Sequence, residues 1–221
     1  MKKITLITAL FAAFQMNAQV MSQNFDTALN WTVVRLVGSS TNAGWTRVTS
    51  GTDPTNSPYA GAGMAKFASF DVAAGGVFAL TSPTFNLVGT NAYKVKFYMY
   101  RDGKYSGDAD KVDVHLTPTA TTAPAAGNLL GTVHRSMTLS PSVSTEGWYT
   151  YQLIIPASTS GARFLRLVAT SQYGNNTYVD NVSVEQLAVT DVSLESVNVN
   201  PYILTGAHNI TGSFKNYGSS T

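Results

Sequence analysis

Two kinds of residue in this sequence could do chemistry: spaced carboxylates and paired tyrosines. Asp26 and Asp180 stand near the two ends of a long patterned region. In a β-sandwich the first and last strands can be neighbours. Two such carboxylates, helped by backbone carbonyls, are hard oxygen ligands of the kind calcium takes. Asp26 and Asp180 are therefore the expected ligands of a structural calcium ion. Asp102, Asp108, Asp110 and Asp113 crowd one strand–turn–strand connection, which reads as a solvated turn without EF-hand spacing. Tyr98 and Tyr100 are two apart, as are Tyr149 and Tyr151, so each pair shares one strand face. Tyrosine rows on a concave sheet stack on sugar rings, which makes Tyr98 and Tyr100 expected ligand-binding residues. Core packing or surface cover is the other use of such rings.

Catalytic patterns are missing. The histidines are His115, His134 and His208. None has a partner at metal-binding spacing such as His-Glu-x-x-His. There is no Gly-x-Ser-x-Gly elbow, no phosphate-binding glycine loop and no zinc pattern. His115 falls on the polar side of a strand and His134 in a loop-like segment, so both are expected to face solvent. The expectation is a chain that binds rather than catalyses.

The elements that carry these residues read as strands. Tyr93–Tyr100 sends Val95, Phe97 and Met99 one way and Lys94, Lys96 and Tyr98 the other. Segments 111–116, 148–155, 163–168 and 177–184 alternate in the same manner. Period-two patterns bounded by Gly, Pro, Asn and Ser mark half-buried antiparallel strands. Residues 38–42 and 50–58 are Gly/Ser/Thr/Asn/Pro-rich loops, Asp102-Gly103 opens a turn, and 117–127 is a Thr/Ala/Pro segment too poor in large apolar groups for a core strand. No stretch beyond residue 18 holds helical spacing for three turns. The fold class is all-β, a jelly-roll sandwich over 19–186. Near Gln186 the pattern changes. Segments 187–194 and 209–216 read as strands of a new β module, too short by Thr221 to close a sandwich, so 187–221 is expected to open an Ig-like module.

The first eighteen residues have a different character. Met1-Lys2-Lys3 precedes the apolar run 4–14, and Ala18 precedes Gln19. Basic, apolar, then small at the cut is the order of a secretory signal. Residues 1–18 are thus an expected signal peptide of the general secretory route, and the mature protein is expected outside the cell or on its surface. This run of eleven residues falls short of the roughly 20 apolar residues that span a bilayer, and no longer apolar stretch follows. The chain has 14 Lys and Arg against 12 Asp and Glu, and loss of the two signal lysines leaves 12 of each. A neutral chain offers no electrostatic footprint for nucleic acid. Cysteine is absent, and about 200 residues suffice for a core without disulfides.

An ordered set of segments resembles a known family. Ser57-Pro58-Tyr59-Ala60-Gly61-Ala62-Gly63-Met64-Ala65 is followed by Leu80-Thr81-Ser82-Pro83-Thr84-Phe85-Asn86-Leu87. Then come Phe97–Asp102, Asp110–Val114, Gly147–Tyr151 and Tyr173–Val182. Over about 24–186 the set is similar to the MAM-like jelly rolls of bacterial surface proteins. These include the cleaved-adhesin domains of gingipain-type proteases and the choice-of-anchor domains. The resemblance implies a calcium-stabilised, non-catalytic adhesion module that binds a glycan or a host or extracellular protein. It also implies the alternative of an accessory domain in a longer secreted hydrolase, a protease or glycosidase, with the catalytic part beyond Thr221. In this family an acidic residue after an early Phe and another in the final strand help hold calcium; here they are Asp26 and Asp180. Between Trp31 and Trp45 relatives carry an acidic loop, whereas this chain has Val37-Gly38-Ser39-Ser40-Thr41-Asn42, which removes ligands of that kind.

Overall fold

The computed structural model describes residues 19–39, 41–187, 192–198 and 211–216. The first half contributes β1 (Gln19–Gln23), β2 (Thr32–Val37), β3 (Trp45–Val48), β4 (Met64–Phe67), β5 (Val77–Thr81) and β6 (Phe85–Leu87). The second contributes β7 (Tyr93–Arg101), β8 (Lys111–Thr117), β9 (Leu129–His134), β10 (Gly147–Ile155), β11 (Gly161–Thr170) and β12 (Thr177–Gln186). They form two six-stranded antiparallel sheets. One runs β10-β7-β12-β4-β3 with β1 on β12; the other runs β2-β5-β11-β8-β9 with β6 on β11. This is the expected β-sandwich, and its first and last strands, β1 and β12, are paired.

Alternation in sequence becomes layering in space. Along β7, Tyr93, Val95, Phe97, Met99 and Arg101 are buried, while the residues between them are half-buried on the outer face. Val112, Val114, Leu165 and Leu167 answer from the second sheet and close one apolar core with Phe25, Phe67, Phe78 and Leu80. Trp45 anchors it. Its ring is 1 % exposed, lies 5.5 Å from Phe67, and donates Nε1–H to the Phe78 carbonyl at 3.2 Å. Gly44 precedes it at φ +73°, where a Cβ would lie 2.3 Å from the Phe78 ring, so only glycine lets the chain turn into β3 there.

Trp148, by contrast, is on the outer face of edge strand β10, half-buried. The structure thus assigns the core tryptophan role to Trp45. Trp45→Ala is expected to cost about 3–5 kcal/mol, as large-to-small core changes do. Trp148→Ala is expected to cost less than about 1.5 kcal/mol. Urea midpoints of the two variants at constant slope check this, and equal losses would contradict the assignment.

Two further strands, β13 (Val192–Asn198) and β14 (Thr211–Asn216), pair antiparallel with each other. β14 falls within the expected 209–216 segment, whereas β13 overlaps the expected 187–194 segment only at 192–194. The remainder of the expected Ig-like module and the expected signal peptide, 1–18, lie outside the described residues.

Candidate functional site

The outer face of the first sheet gathers aromatic rings. Trp148 pairs with Tyr100 and Thr150 with Tyr98 in the β10–β7 register, so all four side chains share one face. Tyr98 and Tyr100 are both partly exposed there. Tyr59, 42 % exposed, comes from the loop before β4 and lies parallel on Tyr98, with ring centroids 3.6 Å apart. Trp148 stands edge-on to Tyr100 at 5.5 Å and to Tyr59 at 6.2 Å. Its Nε1–H donates to the Ser57 carbonyl at 2.9 Å. The Tyr100 hydroxyl donates to Glu146 Oε1 at 3.2 Å. Burial, with the Glu146 carboxylate second, pushes the Tyr100 phenol up to about 12, so it stays a donor. Beside Tyr98 lies a polar groove of about 430 Å³ lined by Ser22, Asn24, Lys96, Ser183 and Glu185 among others. Fixed rings beside polar side chains can stack on a sugar face and hydrogen-bond its hydroxyls. Strand spacing exposed Tyr98 and Tyr100. It could not reveal Tyr59, which arrives by a loop, or the cross-strand place of Trp148.

The two expected calcium ligands meet at the same sheet. A β-bulge in β12 sets one extra residue against β7 after Asp180, with Asn181 at φ 46°. Asp180 is fully buried under the 59–62 loop. It accepts N–H bonds from Ala60 at 3.3 Å and Asn181 at 2.7 Å. Desolvation raises its carboxyl to about 6 despite these bonds, and the Asp26 charge pushes in the same direction. Asp26 accepts from Ala62 N at 2.5 Å and Asn24 Nδ2 at 2.7 Å. Gly61, at φ +66°, packs so closely that a Cβ would lie 2.1 Å from Asp26 Oδ1. Two neighbouring carboxylates, one desolvated, suit a hard cation. The adjacent carbonyls do not wait for one, because Arg47 donates to the oxygens of Phe25, Asp26 and Ala62. Those three carbonyls are thus engaged, and Asp26 and Asp180 stand as a pair: among the described residues no group of three or more His, Cys, Asp or Glu side chains could hold a metal ion.

Two of the four 102–113 carboxylates are not solvated, while Asp108 and Asp113 stay partly exposed. Asp102 and Asp110 are buried. Arg135, fully buried between them, reaches Asp102 Oδ2 at 2.8 Å and Asp110 Oδ2 at 3.3 Å. It also donates to the Lys104 and Tyr105 carbonyls, each at 2.9 Å. Arg101 is equally buried and donates to Arg135, Ser136, Leu139 and Pro141 carbonyls and to the Tyr151 hydroxyl. The histidines also differ from expectation. His115 is 5 % exposed, because the 117–128 segment folds over the outer face of the second sheet. Its Nδ1 lies 2.6 Å from Asn128 Oδ1, and Arg166 beside it reaches Thr122 O. His134 ends strand β9 rather than lying in a loop, with Nδ1 2.8 Å from Ser140 O.

No protein-family profile matches this sequence, and no curated protein matches it. Solved structures do match in fold. The K1 cleaved adhesin domain of Lys-gingipain from Porphyromonas gingivalis aligns with TM-score 0.51 at 18% identity, over 74% of this chain and 96% of that domain. The K2 cleaved adhesin domain aligns with TM-score 0.51 at 15% identity, again over 74% and 96%. The carbohydrate-binding module TmCBM61, solved with β-1,4-galactotriose, aligns with TM-score 0.45 at 13% identity, over 74% and 94%. The described sandwich therefore has the jelly-roll fold of the cleaved adhesin domains.

Proposed function

We propose that this protein is a non-catalytic extracellular binding module that holds a glycan across Tyr59, Tyr98, Tyr100 and Trp148 on the outer face of the first sheet. The observation that carries the reading is the tethered cluster of four partly exposed rings beside a polar groove. Exposed aromatic clusters on soluble domains commonly mark interaction sites, and this one is held by hydrogen bonds to Ser57 and Glu146. Export by the general secretory route belongs to the same reading, supported by the basic, apolar, small-residue order of residues 1–18. A glycan array probed with the protein tests the reading. Binding to at least one glycan class, lost on Tyr98→Ala, is the expected result; no glycan binding together with capture of a protein ligand would replace glycan with protein.

The proposal includes a structural calcium ion held by Asp26 and Asp180. It would neutralise the buried Asp180 carboxylate and clamp the loop after β1 to β12. A ligand that binds only the folded state stabilises it by about 2.7 kcal/mol at a hundredfold excess over Kd. Melting in millimolar calcium is therefore expected several degrees above melting in EDTA, with the difference abolished by Asp26→Asn. An unchanged midpoint would sink the calcium site.

A further inference from the structure

Three more exposed rings stand at one end of the first sheet, and the Tyr98 platform does not use them. Strand register places them. Arg101 ends β7 opposite Gly147, the first residue of β10, and Phe67 ends β4 opposite Thr177, the first residue of β12. The loops at that end carry Tyr105 after β7, Phe70 after β4 and Tyr173 before β12. Phe70 and Tyr173 lie 7° from parallel with ring centroids 6.5 Å apart, and Tyr105 meets Phe70 at 6.4 Å. All three are exposed, Tyr173 by 62 %.

The fold does not account for these rings. Tyr105 sits at φ 51° and Tyr173 at φ 67°, left-handed backbone that bulky residues rarely adopt. Glycine or asparagine fits such a position with less strain, and a ring left in water adds little apolar burial. The backbone beneath is nonetheless held firmly. Arg135 Nη2 donates to the Tyr105 carbonyl at 2.9 Å. Tyr173 N donates to Ser171 Oγ at 3.0 Å, Gln172 N to Asp110 Oδ1 at 2.7 Å, and Phe70 N to Asn176 Oδ1 at 3.2 Å. Strained residues that their surroundings hold in place gather at ligand clamps, and exposed aromatic patches mark interaction sites.

The three rings continue the platform already described. Between the two lies a pocket of about 260 Å³, lined by Glu146 and Lys104 together with Asp53 and Thr55. Glu146 accepts the Tyr100 hydroxyl bond, on the platform side. Lys104 holds its Nζ 5.1 Å from the Tyr105 ring centroid, on the loop side. Charges of both signs meet in the pocket, so it favours neither an anion nor a cation. The order of surfaces is ring, polar pocket, ring. A chain of neutral sugars has the matching pattern, with apolar ring faces that stack and hydroxyls that hydrogen-bond to groups of either charge. We propose that the bound glycan is a long neutral polysaccharide chain that runs from Tyr98 and Tyr100 across this pocket onto Tyr105, Phe70 and Tyr173. The inference rests on the glycan reading above and adds to it the ligand's charge, its length and a second set of stacking rings.

The test is calorimetric titration of the protein with disaccharides and octasaccharides from neutral glucan, xylan, mannan and galactan. In at least one series the octasaccharide is expected to bind at least about tenfold more tightly than its disaccharide, as a ligand reaching two linked subsites does. Tyr105→Asn and Tyr173→Asn are each expected to remove that advantage and leave disaccharide affinity unchanged. Both variants are expected to melt no lower than wild type, since asparagine tolerates the left-handed backbone. An octasaccharide that binds no better than its disaccharide, or keeps its advantage in both variants, would overturn the proposal and leave the platform reading standing. Melting lowered by several degrees in both variants would assign the rings to the fold and overturn it as well. Octasaccharide binding that survives Tyr98→Ala but is lost in Tyr173→Asn would sink the platform reading and uphold the loop rings as a glycan site. No binding of any octasaccharide overturns the proposal, and a charged glycan bound on the array and lost on Tyr98→Ala would then keep the platform.

Discussion

Arg135→Met is expected to destabilise the protein by at least about 3–5 kcal/mol, the largest loss of any single change outside the apolar core. The side chain is fully buried and balances two buried carboxylates, Asp102 and Asp110. Both partners are anchored elsewhere: Asp110 Oδ1 accepts Gln172 N at 2.7 Å, and Asp102 Oδ1 accepts Lys104 N at 3.0 Å. They cannot swing to water when the guanidinium goes. Removing one partner of a buried pair leaves uncompensated charge, the costly case. The Lys104 and Tyr105 carbonyls lose their donors as well. Adding Asp110→Asn should recover part of the loss, because a neutral amide costs less to bury than an ion. Urea unfolding of wild type, single and double variants measures the coupling. A loss below about 1 kcal/mol, or none recovered in the double variant, would show that the network contributes little.

This network was hidden in the sequence, and the reason is physical. Strand patterns are local: the period of two in β7 and β8 is written in adjacent residues, so the sandwich was legible. That Asp26 lies near enough for its charge to act on Asp180 followed from topology, since closing a sandwich can bring first and last strands together. Arg135, however, joins Asp102 and Asp110 across 33 and 25 residues, and nothing periodic links them. Four aspartates in a turn-rich stretch look the same whether water or a distant arginine answers them. His115 was misplaced for a related reason. Its strand alternates as expected, with Val112 and Val114 inward, but the polar side of that sheet is roofed by the 117–128 segment. Alternation reports a side chain's face and not what covers that face. The same limit hid the difference between Trp45 and Trp148. Trp45 opens β3 and Trp148 is second in β10, and only the second sheet, packed over Trp45, makes one of them core.

Tyr98→Ala is expected to abolish measurable glycan binding, a loss of at least about thirtyfold, while lowering stability only slightly. The two effects separate because Tyr98 points away from the core; Phe97 and Met99 beside it carry the packing. Removing the ring also leaves Tyr59, stacked on it at 3.6 Å, with no surface to lie on, so one change dismantles half the platform. Central aromatic residues at binding sites commonly cost 2 kcal/mol or more on truncation, and about 2 kcal/mol corresponds to the thirtyfold loss. Tyr98→Phe should keep most of the affinity if stacking dominates. Lys96 lies 5.6 Å from the Tyr98 ring centroid and lines the same groove, so Lys96→Ala should weaken binding by a smaller factor. Trp148→Ala should fall between these two, since its ring braces both Tyr59 and Tyr100 from the edge strand. Titration of each variant with the glycan selected on the array gives the order directly. An unchanged affinity in Tyr98→Ala, with the fold intact by its melting curve, would move the binding surface off this face of the sheet.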